Sequence, residues 1–125
     1  MRKQYYFRPS SQGYLALDVD RLVELTREFE IKQIRLETIK ELDENHWFND
    51  DSEGPTCRNV VEHAKLIQEA DLDYPIILSE NGRVMDGMHR VCKAILLGHN
   101  TVKAVQFEED PEPDYIDVYP DELPY

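Results

Sequence analysis

The sequence predicts an α/β (α+β) domain: a small mixed β-sheet flanked by helices and followed by an extended acidic C-terminal arm. Three observations predict it. Short β-branched runs alternate with longer segments of helical period. An Asn-Gly pair separates two apolar runs, the signature of a hairpin. A hydrophobic fraction of 41% beside a charged fraction of 32% suits a packed domain rather than a disordered chain. At 125 residues the chain matches one domain and is short for two.

The elements follow in order. QYYFR, residues 4–8, reads as a short strand ended by Pro9 and the polar run Ser10 to Gly13. Asp18 is an N-cap for the helix VDRLVELTREF, whose apolar face is Val19, Leu22, Val23 and, less regularly, Phe29. IKQIRL, residues 31–36, alternates as a half-buried strand, and ETIKEL adds one helical turn. The acidic stretch from Asp43 to Pro55 is a loop, yet it holds Trp47 and Phe48, which are costly to leave in water. Thr56 caps the helix CRNVVEHAKLIQEA, with Val60, Val61, Ala64 and Ile67 on one face. PIILS, a two-residue type I′ turn at Asn81-Gly82, and RVMD form the hairpin. A short helix from Met88 to Leu97 stops at Gly98 as its C′ residue, and TVKAVQF returns as a strand. Four prolines between Glu108 and Tyr125 favour an extended path without regular helix or sheet. The organisation is therefore a domain over 1–107 and an arm over 108–125.

The formal charge is −12, from 26 acidic and 14 basic residues. The arm alone holds eight acids and no Lys or Arg, so the body carries 18 acids against 14 bases. Affinity for duplex DNA rests on phosphate neutralisation, so such a field disfavours it and leaves room only for a local pocket for a small phosphate. The two cysteines, Cys57 and Cys92, lie far apart without a CxxC, which points to reduced, inert thiols. No segment approaches the roughly 18 apolar residues of a membrane span, and no signal-peptide core follows the N-terminus. A cytoplasmic protein is expected.

VMDGMHRVCKA carries the chemistry. Where a strand ends at Asp86 and a helix starts at Met88, the backbone N–H groups of Met88, His89 and Arg90 face an anion with partial positive charge. Gly87 lets the chain turn and a ligand approach, the Arg90 guanidinium can fork onto two phosphate oxygens, and His89 can add a donor. Asp86 can orient an imidazole, accept a hydroxyl proton, or hold a magnesium ion that accompanies phosphates. The same letters also describe an ordinary turn with a solvated His and Arg. Two basic residues at a helix N-terminus oppose its dipole, however, and that favours an anion.

A hairpin, an Asp-Gly-x-His-Arg helix start, then Lys-Ala-x-x-x-Gly and an apolar strand resemble the ParB/sulfiredoxin superfamily over residues 74–107. In that superfamily the strand-to-helix turn binds nucleotide phosphates, as Gly-Glu-Arg-Arg in partition proteins, Gly-Cys-His-Arg in sulfiredoxins and Asp-Gly-His-His-Arg in free serine kinases. The resemblance implies a stand-alone domain of that fold and phosphate binding at Gly87, His89 and Arg90. The departures are as informative. Met88 stands where sulfiredoxin has its thiol, so sulfinic acid reduction is not expected. No helix-turn-helix follows, so chromosome partitioning is not expected either.

The expected ligand is a nucleotide, ATP, ADP or CTP, with magnesium at Asp86. The reaction class, where there is turnover, is phosphoryl transfer or nucleotide hydrolysis, with Asp86 and His89 as catalytic candidates. Glu37, Glu41 and Asp43 are further carboxylates placed to serve by position. Arg58 and Asn59, in the first turn of their helix, can add donors to the same anion, and Trp47 can stack on a base or plug the domain's own core edge. His63 reads as a helix-surface or partly buried His. The rival reading is a non-catalytic interaction module, in which the acidic, aromatic arm contacts a protein partner or a second subunit.

Overall fold

The computed structural model describes residues 3–48 and 55–124. The expected Asp43 to Pro55 loop thus lies partly outside the described residues, as does Tyr125. The elements are β1 (Tyr5–Ser10), β2 (Gly13–Asp18), α1 (Val19–Leu25), β3 (Lys32–Arg35), two 3-10 turns (Leu36–Thr38 and Lys40–Asp43), α2 (Cys57–Glu69), β4 (Ile76–Leu78), β5 (Val84–Asp86), α3 (Met88–Leu96), β6 (Thr101–Gln106), β7 (Tyr115–Ile116) and a 3-10 turn at Pro120–Glu122. The mixed α+β class is as the sequence predicts.

Two sheets replace the single mixed sheet expected. The four-stranded sheet runs β3-β6-β4-β5, with β4 parallel to β6 and the other pairs antiparallel. Strand β4 is buried throughout and β5 nearly so, while the edge strand β3 is largely exposed, and successive residues of the inner strands feed different cores. Ile76, Leu78, Val84, Val102 and Ala104 pack with Met88, Val91 and Ala94 of α3. Ile77, Met85, Val105 and Phe107 pack with Leu17 of β2 and Leu22 of α1. The second sheet, β1-β2-β7, is antiparallel and covers that other face.

Several expectations are corrected. Strand β1 continues through Pro9 to Ser10, because it is an edge strand and an edge proline leaves no ladder bond unmade. Strand β2 was unexpected; Leu15, Ala16 and Leu17 are all buried and show no alternation. Asp18 does cap α1, accepting from the Asp20 N–H at 2.9 Å, but the helix ends at Leu25 and leaves Val23 exposed. The hairpin turn is not type I′. The Ser79 carbonyl accepts from the Gly82 N–H at 3.0 Å and only Gly82 has positive φ, so Glu80 and Asn81 form the turn and Gly82 the left-handed bulge that follows. The arm is extended, yet β7 joins a sheet and Leu123 is buried. Gly98 ends α3 as expected, in a Schellman motif closed by the His99 N–H on Ala94 O at 2.9 Å.

Candidate functional site

Strand β5 delivers the chain to α3 through Gly87, whose φ of 111° lies in the left-handed region. A Cβ there would stand 2.7 Å from Ile76 Cγ2 and 2.8 Å from Arg90 Nη2, so the turn requires glycine. The first helical bond of α3 runs from the Val91 N–H to Gly87 O at 3.1 Å, and among the described residues no side chain caps this end. The three preceding amides therefore have no intrahelical acceptor. Gly87 and Met88 open onto a cavity of about 660 Å³ whose far wall is Tyr6, Arg8, Glu41 and Arg83. A second cavity, of about 380 Å³, shares Gly87 and Met88 and is walled by Tyr5, Phe7 and Trp47.

The structure brings the predicted residues to different tasks. Met88 is 6% exposed and its side chain belongs to the core, so only its backbone faces the cavity. Arg90 is not the free fork expected. Its Nη2 donates to Asp86 Oδ2 at 3.1 Å and to Pro75 O at 3.3 Å, which draws the guanidinium across Gly87. Its Nε is buried and, among the described residues, unpartnered. Arg58 is exposed in the first turn of α2 and lines neither cavity at the turn. Asn59 is taken by the cap of its own helix, exchanging bonds with Thr56 at 3.0 and 3.1 Å. The two helix starts therefore do not converge on one anion.

His89 has a partner that sequence reasoning missed. Its Nε2 lies 2.8 Å from His63 Nδ1 of α2, and Trp47 stacks on both rings, 4.6 Å from His89 and 4.3 Å from His63 between centroids. Trp47 also packs against the core cluster, so it plugs the domain's edge, and its stacking face is occupied by the two imidazoles. Burial, reinforced by the charges of His63 and His46, pushes His89 down to about 4, and burial lowers His63 as well. Both shifts favour the uncharged imidazole. No spacing signal announces this pair, because it joins two helices 26 residues apart.

Of the three carboxylates after β3, Glu37 is exposed and paired to Arg35 at 2.5 Å, and Asp43 is exposed. Glu41 is different. It is 4% exposed, its Oε2 accepts from the Val84 N–H at 2.6 Å and lies 3.4 Å from Arg83 Nε. Its Oε1 is buried without a hydrogen-bond partner among the described residues. Arg83 also binds Glu44 with both terminal nitrogens. Beside this pair the Tyr6 hydroxyl is held above the usual tyrosine range, first by burial. Among the described residues no group of three or more His, Cys, Asp or Glu converges as a metal site.

By fold the chain is an α+β domain with two sheets, and by site it is an uncapped helix start opening on a polar cleft. No family model, no curated protein and no solved structure matches it. Among the described residues no helix is long and apolar enough to cross a membrane.

Proposed function

We propose that the chain is a cytoplasmic domain of ParB/sulfiredoxin type that binds a phosphate-bearing ligand, a nucleotide, in the cleft at Asp86 to Arg90. The observation that carries this reading is the uncapped N-terminus of α3 opening onto the 660 Å³ cavity. A phosphate there satisfies amides that no side chain among the described residues serves and meets the positive end of the helix dipole. The adjoining wall of Tyr5 and Phe7 suits a flat base. Asp86 offers one carboxylate, and magnesium commonly takes one or two plus phosphate oxygens and water, so the donor set fits an ion that arrives with the nucleotide. Phosphoryl transfer or hydrolysis is the reaction class that goes with this ligand, and of the carboxylates after β3 Glu41 lines the cavity.

The contacts of the arm weigh against the rival reading of a free interaction tail. Asp110 pairs with Arg8 at 2.8 Å and accepts from the Glu80 N–H at 2.8 Å; Asp114 pairs with Arg21 at 3.3 Å and accepts from the Asp18 N–H at 2.7 Å. These acids are spent inside the chain.

The test is a thermal-shift panel of ATP, ADP and CTP with and without magnesium, joined to amide chemical-shift mapping. A nucleotide that raises Tm and moves the Met88 and His89 amides supports the proposal. Binding that leaves those amides unmoved would overturn it. Arg90→Ala is expected to weaken the shift indirectly, by releasing Asp86.

A further inference from the structure

His63 and His89 meet end to end. Their ring centroids are 5.1 Å apart and their planes 22° apart, which with a 2.8 Å nitrogen contact makes the two imidazoles nearly coplanar. Such a contact holds one hydrogen: one ring donates and the other accepts. The accepting ring carries its own hydrogen on the outward nitrogen, and the donating ring has a bare outward nitrogen. A proton added there turns the donor into an imidazolium while the inner N–H···N bond is kept and becomes charge-assisted. The pair can therefore accept one proton without moving, and the Trp47 face stacked on both rings favours the cation.

Every charged neighbour bears on whether it does so. Asp86 and, beside His63, Glu62 favour the cation; Arg90 and His46 oppose it. The start of α3 opposes it too, since its dipole is positive where His89 sits. Asp86 is held by Arg90 in the resting chain, which blunts its help. An anion seated on the Met88 and His89 amides reverses the helix contribution, and His89 lines the smaller cavity, which shares Gly87 and Met88 with the larger cleft where that anion would lie.

We propose, building on the phosphate reading above, that anion binding at the start of α3 is coupled to uptake of one proton by the His63–His89 pair, so that affinity rises as pH falls below about 6.5. The proton comes from solvent and leaves with the ligand. A coupling of about one pKa unit corresponds to about a tenfold gain in affinity across the titration.

The experiment titrates the ring Cε1–H resonances of the four histidines, with sodium sulfate and with sodium chloride at equal ionic strength. Sulfate is the probe because it carries no proton to release near neutral pH. The expected result is an upward shift of about one unit for His63 and His89 in sulfate alone, with exposed His99 unmoved. In His63→Gln the shift at His89 should fall by half or more, with far-UV circular dichroism confirming the fold. Sulfate that moves the Met88 and His89 amides but leaves the imidazole titrations unchanged overturns the coupling and spares the binding site. Sulfate that moves neither overturns both.

Discussion

Helices α2 and α3 both show a helical apolar period, yet they sit in the domain differently. Helix α3 buries Met88, Val91 and Ala94 within nine residues. Helix α2 runs for 13 residues and buries none; Val60 is 53% exposed and Val61 65%. Its least exposed positions are Asn59, His63 and Ile67, one turn apart each, rather than the Val60, Val61, Ala64 and Ile67 face that the period suggests. The difference teaches that period identifies a helix, while the phase of its buried face is set by the partner. Helix α3 has a sheet to lie on. Helix α2 meets chiefly α3, through the histidine pair and through Lys93, whose Nζ donates to Gln68 O at 2.9 Å and Ala70 O at 2.6 Å.

The contrast can be broken most strongly at Met88. Truncation by Met88→Ala empties the core beneath α3 and is expected to cost about 2–5 kcal/mol, read from urea midpoints. Gly87→Ala should cost about 1–3 kcal/mol and lower Tm, since the added methyl meets Ile76 in a left-handed backbone; an unchanged Tm would show that the turn relaxes. Acid should act more gently, and on the α2 side. His89 and His63 have lowered values, so the unfolded chain binds more protons below about pH 6.5. Their contribution is complete above that point and fades as pH falls towards about 4, which a urea midpoint lower at pH 5 than at pH 7 would report. The smallest effect belongs to Val61→Ala, expected within about 0.5 kcal/mol because the side chain already faces water.

What the sequence made legible was local. The Asp18 and Thr56 caps, the hairpin, the glycine turn and the Gly98 stop each depend on residues a few positions apart, and each stands where the letters put it. Strand β2 escaped notice because Leu15, Ala16 and Leu17 are buried together and leave no period to read. Burial of Glu41 depends on the approach of Val84, 43 residues away. Arg90 looked free because nothing nearby in sequence says that Pro75 O lies within its reach. The uncapped helix start was legible; the imidazole pair beside it was not, because only tertiary approach creates it.

Strand β7 has a consequence in time. Its Tyr115 and Ile116 pair with Ala16 and Leu15, about a hundred positions earlier in the chain. Such distant pairing carries a loop-closure cost that local helices never meet, so the β1-β2 hairpin waits longest for its third strand. The cleft wall formed by Tyr5 and Phe7 belongs to that hairpin. Refolding should therefore restore helical signal first and the cleft last, with residues 115–116 acting as the closing clasp.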